Sequence, residues 1–185
     1  STVANRLADL LQDGSRRVTR VREPGGTAAG EQIRGVLLDV GSVLSPWTEA
    51  LLFAASRAQL AREVVGPALA GGSWVISDRT VYSSLAYQGG GRGLGIAAVR
   101  ALNEPGLEGV WPDLVVLLRI DPVTGLQRQE VADRIGGEGL EFQAAVAAAF
   151  DEIARSEPDR FLVVDATEDA ATVTSAVLTE VHARW

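Results

Sequence analysis

The 185-residue chain has no cysteine, no methionine and a single histidine. Without cysteine it has no disulfides, thiolate zinc sites or cysteine nucleophiles, which suits the reducing interior of a cell. The histidine, His182, falls in a predicted C-terminal helix, which argues against a histidine-based triad and against a multi-histidine metal site. We interpret His182 as a solvent-facing helix residue.

Lysine is absent as well, and all 17 basic residues are arginine. A mechanism that needs a phosphate-binding lysine therefore cannot be completed by these residues alone. No apolar run approaches the roughly 18 residues of a membrane span, and no leader pattern is visible, so we expect a soluble protein. The net charge of −7 argues against a nucleic-acid partner but allows a small anion in an arginine-lined pocket.

What is present is an alternation of strand and helix patterns, which predicts one α/β domain with a mainly parallel sheet covered on both faces. The predicted strands are Arg17–Val21, Trp74–Ser77, Leu114–Ile120 and Phe161–Val164. The predicted helices are Thr2–Gln12, Ala28–Asp39, Pro46–Ala70, Ile96–Asn103, Pro122–Arg128, Leu140–Arg155 and Ala170–Ala183. Gly89–Gly95, with five glycines in seven residues, is predicted to be a loop.

Two polar segments follow predicted strands, where open α/β sheets bind ligands. In Arg22–Thr27 two glycines allow close backbone approach to a ligand, although a tight turn capped by Thr27 is the alternative. In Ser77–Arg79, Asp78 could hold magnesium through water and Arg79 could grip a phosphate. A surface ion pair between these two residues is equally consistent with the sequence.

Two helical segments offer groups that suit a nucleoside. Ser83–Gly89 supplies hydroxyls, a phenol and an amide close to Arg79. Phe53 and Arg57 are four residues apart and share a helix face, so a ring could stack on a base while the guanidinium bonds its carbonyl. Burial of the ring in the core is the alternative for both Phe53 and Tyr87, the phenol of the first segment.

The segment Asp133–Ile135 lies in a polar, glycine-flanked stretch that also includes Arg128. Mobile arginines over an active site can neutralise charge during phosphoryl transfer, and a solvated surface loop is the alternative. Four of these five motifs fall at strand ends or in adjoining helices, and all could handle phosphate or a base. Together they favour a mononucleotide site.

The chain resembles the bacterial thymidylate kinase family. The strings REPGGTAAGEQIRGVLLD, LLFAASRAQL, SDRTVYSSLAYQGGGRGLG and PDLVVLLRIDPVTGLQR occur in the family's order and spacing, and the similarity runs from Ser1 to the final helix. Other nucleoside monophosphate kinases share the fold but not the REPGG and SSxAYQG strings together. The resemblance implies a P-loop nucleoside monophosphate kinase fold, a three-layer α/β sandwich with strand order 2-3-1-4-5 whose first strand is missing here.

The implied activity is transfer of the γ-phosphoryl group of ATP to dTMP, giving dTDP for dTTP biosynthesis, with Mg²⁺ accompanying ATP. The resemblance also implies that residues 1–185 form a single domain, with a lid at about 128–140. It further implies that the protein is a cytoplasmic homodimer. Two alternatives stay open. One is a kinase for another deoxynucleotide or nucleoside, and the other is a non-catalytic nucleotide-binding protein that has lost its P-loop.

The resemblance assigns roles residue by residue. Phe53 is similar to the ring that stacks on thymine, and Arg57 to the donor to the base carbonyl. Tyr87 is similar to the ring that packs on deoxyribose and disfavours a 2′-hydroxyl, while Ser84 and Gln88 match polar contacts to the base. The implied dTMP-binding residues are Glu23, Arg34, Phe53, Arg57, Arg79, Ser83, Ser84, Tyr87 and Gln88.

On the phosphate side, Arg34 and Arg79 match the arginines that hold the dTMP phosphate, with Glu23 near the acceptor phosphate. The resemblance implies catalytic roles for Asp78, Arg79, Arg128 and Arg134. It implies ATP contacts from Ser1, Thr2, Arg128 and Arg134, and magnesium contacts from Ser1 and Asp78.

Three departures from the family pattern stand out. Thr80 follows the Asp-Arg pair where the family has an aromatic residue or histidine, and Gly136 replaces a glutamate of the lid string. The chain also starts at Ser1-Thr2, where the family's P-loop, with its Gly-Lys-Ser/Thr ending, finishes. We therefore expect a fragment of an active parent enzyme that binds ATP poorly, since the P-loop backbone and lysine cradle the phosphates.

Overall fold

The computed structural model describes residues 2–12, 16–128 and 133–185. Its strands are β1 (Val18–Arg22), β2 (Trp74–Asp78), β3 (Val115–Arg119) and β4 (Phe161–Asp165). Its helices are α1 (Thr2–Leu11), α2 (Ala28–Leu38), α3 (Pro46–Leu60), α4 (Gly66–Ala70), α5 (Val81–Ser84), α6 (Ile96–Leu107), α7 (Pro122–Gln127), α8 (Leu140–Ser156) and α9 (Ala170–Arg184). The predicted strands and helices are confirmed, with shifts at their ends. The predicted helix Pro46–Ala70 is divided into α3 and α4 by a π-helical segment, Ala61–Val65.

The four strands form two parallel pairs. In the first pair β1 lies beside β2 with Val18 opposite Trp74, and in the second β3 lies beside β4 with Val115 opposite Phe161. Among the described strands, β2 and β3 do not pair with each other. A cleft of about 770 Å³ lies between them, lined by both strands and by residues of α1 and α9. In the predicted order 2-3-1-4-5, β1 to β4 are strands 2 to 5. That order places strand 1, the strand expected to be missing here, at this cleft.

Helices cover both faces of the strands, as a parallel sheet requires. Because side chains alternate along a strand, Val116 packs towards the cluster that contains Leu7 of α1 and Val177 of α9. Its neighbour Leu117 packs towards the opposite cluster, around Val146 of α8. The layers are therefore helix, sheet and helix, which confirms the three-layer α/β prediction. Within the residues that the structure describes, no helix has the length and apolar character to cross a membrane.

The loop prediction for Gly89–Gly95 is wrong over its first three residues. Leu85–Gly91 is a π-helical segment that continues α5. A Cβ atom on Gly90 would collide with the side chain of Ala149, and one on Gly91 would lie 2.6 Å from the Phe142 ring. The glycines are there because this segment lies directly against α8, and that contact outweighs their weak helix propensity.

Replacing Gly90 by alanine should therefore destabilise the fold by about 1–3 kcal/mol, because a methyl group is forced into a filled contact. The matched control is Gly35→Ala in α2, where an added Cβ would meet nothing within 4 Å. That change should stabilise by about 0.5–1 kcal/mol through helix propensity. Urea unfolding followed by tryptophan fluorescence measures both, and equal effects of the two changes would contradict the packing account.

Tyr82 links two helices on the α8 side of the sheet. Its ring is 1% exposed, and its hydroxyl donates to Oε2 of Glu157 at 2.6 Å. Burial, followed by the hydrogen bond and charge of Glu157, raises the pKa of Tyr82 to about 12. The folded state thus keeps a proton that the unfolded chain loses near pH 10.

The stability that Tyr82 contributes in this way is complete below pH 10 and is lost as pH rises towards 12. Between pH 9 and 11.5 the free energy of unfolding of the wild type should fall by about 1–2 kcal/mol more than that of Tyr82→Phe. Urea unfolding of both proteins across this range measures the difference. Parallel pH profiles would show that the phenol does not titrate as described.

Candidate functional site

A cavity of about 790 Å³ opens where β1, β2 and β3 end, with walls from α2, α3, α5, α7 and α8. This is the strand-end position at which ligands bind in open α/β sheets. Most of the residues singled out in the sequence line it: Glu23, Arg34, Phe53, Arg57, Asp78, Arg79, Ser83, Ser84, Tyr87, Gln88 and Arg128. The structure thus brings segments from six parts of the chain into one site.

Three predicted residues are not placed in the cavity wall. Thr2 is exposed at the start of α1 and does not line the cavity. Arg134 lies behind the wall, although its neighbours Asp133 and Ile135 line it. Ser1 lies outside the described residues, so its predicted ATP and magnesium contacts stay predictions.

Arg57 and Glu23 form a buried ion pair in the cavity wall. Their side chains are 4% and 11% exposed, and Arg57 NH2 lies 2.6 Å from Oε2 of Glu23. Arg57 also donates to Asn103 Oδ1 at 2.5 Å and to Ser84 Oγ at 3.0 Å. Burial raises the pKa of Glu23 and outweighs the lowering by the Arg57 charge. Arg57 is therefore held in one orientation before any ligand arrives.

An aromatic ring and a cation define a second part of the wall. The Arg79 guanidinium carbon lies 5.1 Å from the centre of the Tyr87 ring, a cation–π distance. Arg79 has φ of 69°, in the left-handed region, and such strain in a non-glycine residue concentrates at functional sites. Phe53 on α3 is partly exposed and lines the same space. Its ring is therefore accessible to a ligand.

The glycine turn after β1 is fixed by the two helices that follow it. Gly25 N–H donates to Ser56 Oγ at 3.0 Å, and Arg34 NH1 donates to the Pro24 carbonyl at 2.8 Å. Thr27 caps α2 by accepting from Gly30 N–H at 2.9 Å, so the capping alternative in the sequence is confirmed. Gly25 has φ of 124°, which an L side chain rarely adopts. The turn places Glu23 and Arg34 on the same cavity.

The two arginines assigned to the lid have different partners. Arg128 donates to the carbonyls of Ala166 at 2.7 Å and Thr167 at 3.0 Å, which holds it against the loop after β4. Arg134 donates through Nε to the Leu37 carbonyl and through NH1 to Glu49 Oε2, both at 2.8 Å. The predicted contact of Arg134 with ATP would need it to leave these partners.

Sequence reasoning missed Glu49 and Asn103, both of which hold cavity residues in place. Glu49 could have been found, because it is four residues before Phe53 and shares its helix face with Phe53 and Arg57. Asn103 gives no such signal, since it meets Arg57 across 46 residues of chain. A polar residue in a helix does not reveal a partner on a different element.

The chemical character of the cavity suits a flat, anionic ligand. Six arginines line it: Arg22, Arg34, Arg57, Arg79, Arg119 and Arg128. Three aromatic rings do so as well: Phe53, Tyr87 and Phe150. Planar guanidinium groups bind phosphate through two parallel hydrogen bonds, and rings offer faces for a base. The volume falls within the range of small-molecule sites.

Comparison with known proteins points to one family. The family model for thymidylate kinase matches residues 1–177. A thymidylate kinase of Deinococcus radiodurans is 45% identical over 170 residues, covering 90% of this chain and 82% of that protein. One of Bifidobacterium longum is 42% identical over 186 residues, covering 98% and 90%, and one of Finegoldia magna is 42% identical over 179 residues, covering 95% and 88%. The chain belongs to the thymidylate kinase family.

Proposed function

We propose that this chain binds dTMP in the strand-end cavity and serves transfer of the γ-phosphoryl group of ATP to the 5′-phosphate of dTMP. One observation carries the proposal. Phe53 and Arg57 on α3, Arg79 after β2 and Tyr87 after α5 line a single cavity in a chain of the thymidylate kinase family. These side chains supply a stacking face, a base donor, a phosphate grip and a sugar-facing ring.

The proposed pose follows from where these groups lie. The thymine ring packs beside Phe53 near the buried Arg57, and its edge faces Ser84 and Gln88. The deoxyribose lies against Tyr87, the ring that the family resemblance assigns to disfavouring a 2′-hydroxyl. The phosphate lies with Arg79 and with Arg34, a second cation of the cavity wall.

Phosphoryl transfer of this kind needs no covalent intermediate and proceeds by positioning and charge neutralisation. The arginines of the cavity hold the acceptor phosphate and offset negative charge as the two phosphates approach. Magnesium bound with ATP takes most of its ligands from phosphate oxygens and water, so one carboxylate suffices. Asp78, at the end of β2 and in the cavity wall, is the residue we assign to it. The ion would draw charge from the transferred phosphoryl group.

We also propose that the protein works as a cytoplasmic homodimer. The supporting observation is an apolar surface on α2 and α3, where Val36, Trp47 and Leu51 are 46%, 48% and 53% exposed. Exposed apolar side chains mark a surface that pairs with another protein where they form one patch. A second copy of the chain is the occupant that we propose, because such symmetric pairing is the commonest form of oligomer.

Calorimetric titration with dTMP tests the proposed function directly. The wild type should bind dTMP, and Arg79→Ala should weaken that binding about ten- to hundredfold, the range for losing a charge-assisted hydrogen bond. Thymidine, which has no phosphate, should lose much less affinity in the same variant. ATP should bind more weakly than dTMP, because the chain has no lysine for its phosphates.

The control is Arg62→Ala, since Arg62 is 74% exposed, pairs with Glu108 and does not line the cavity. It should leave dTMP binding unchanged. The proposal fails if the wild type does not bind dTMP, or if Arg79→Ala weakens thymidine and dTMP equally.

A further inference from the structure

Glu49 is a buried charge that directly contacts both a cavity residue and the segment behind the cavity. It lies in the first turn of α3 and is 1% exposed. Its Oε1 accepts from Gln88 Nε2 at 2.8 Å and from Arg92 Nε at 3.2 Å. Its Oε2 accepts from Arg92 NH2 at 3.0 Å and from Arg134 NH1 at 2.8 Å. Four donors thus converge on one carboxylate.

The state of Glu49 follows from these contacts. Burial raises the pKa of Glu49, but the hydrogen bonds from Arg92, Gln88 and Arg134 together lower it by more than burial raises it. The pKa of Glu49 therefore lies below its ordinary value. The side chain is therefore a carboxylate at neutral pH. A carboxylate only accepts hydrogen bonds.

This fixes which way the Gln88 amide points. An acceptor can be faced only by the NH₂ end of the amide, so Nε2 is committed to Glu49 and the carbonyl Oε1 is the end left for the cavity. Gln88 is 1% exposed and lines that cavity, so the amide has little freedom to turn over. The residue consequently offers an acceptor to the edge of a base.

An acceptor at this point discriminates between pyrimidines. Thymine carries a hydrogen on N3 and donates there, whereas N3 of cytosine is itself an acceptor. Two acceptors facing each other in a buried site leave both unsatisfied, which is costly. An amide free to flip could serve either base, because its other end is a donor.

We propose that Glu49 is a positioning residue that locks the Gln88 amide with its carbonyl towards the cavity, so that the site selects a base with an N3–H. This inference rests on the proposed dTMP site and goes beyond it, because Glu49 acts on the base through Gln88. The same carboxylate holds Arg134, so the base edge and the segment that follows residue 132 share one anchor.

The test is Glu49→Gln, with calorimetric binding of dTMP and dCMP as the readout. These nucleotides have the same sugar and phosphate, so the ratio of their affinities reports on the base alone. In the variant Gln88 can present either end, and we expect the dTMP-to-dCMP affinity ratio to fall about tenfold. The matched control is Glu138→Gln, which removes the other carboxylate on Arg92, at 2.5 Å, and lies outside the cavity wall. It should leave the ratio unchanged.

Gln88→Met covers the case in which Glu49→Gln does not fold. It keeps Glu49 and the side-chain length but removes the amide, and we expect a similar fall in the ratio. Equal weakening of dTMP and dCMP in Glu49→Gln, or an unchanged ratio in Gln88→Met, would overturn the inference. A wild type that binds both nucleotides equally would also overturn it, whereas a wild type that binds neither would refute the proposed dTMP site.

Discussion

The buried ion pair of Arg57 and Glu23 is the constraint on which the site depends. Charges taken out of water must be paired and fully hydrogen-bonded, or the fold loses several kcal/mol. Arg57 meets this demand by bonding Glu23 at the end of β1, Ser84 on α5 and Asn103 on α6. Three elements are therefore held in register with α3 by one guanidinium group. The cavity lies where they meet, so its shape is set by the electrostatics of its wall.

Helix α3 acts as the common support of this wall. Glu49, Phe53 and Arg57 follow one another at intervals of four residues and so lie along one face. The two charged residues are buried, and each is paired with side chains of the opposite charge: Glu49 contacts arginines, and Arg57 contacts a glutamate. The aromatic ring between them stays partly exposed to the cavity. A rotation of α3 would break both sets of contacts together, which gives the ring a well-defined position.

The sequence predicts the strands and the strand-end location of the site, because apolar β-branched runs and the polar residues after them are local signals. The loop prediction was wrong at Gly89–Gly91, because glycine has low helix propensity and a run of glycines therefore indicates a loop. Here the close approach of this helical segment to α8 requires glycine instead. Asn103 gives no signal in the sequence, because its role comes from a partner 46 residues away. Glu49 does share a helix face with Phe53 and Arg57, but that spacing does not reveal its partner Gln88, 39 residues away.

Arg134, which the family resemblance assigns to the lid, has its partners behind the cavity wall. Its guanidinium donates to Glu49 and to the Leu37 carbonyl. Its NH2 group is buried with no hydrogen-bond partner among the described residues. A buried donor without an acceptor costs about 1–3 kcal/mol, so this arrangement is not the best that Arg134 could have. A phosphate offers acceptors to the whole guanidinium edge. If Arg134 leaves Glu49 for a phosphate, the hydrogen bond gained by its NH2 group offsets part of the cost. This is consistent with a residue that changes partners when an anion enters the cavity.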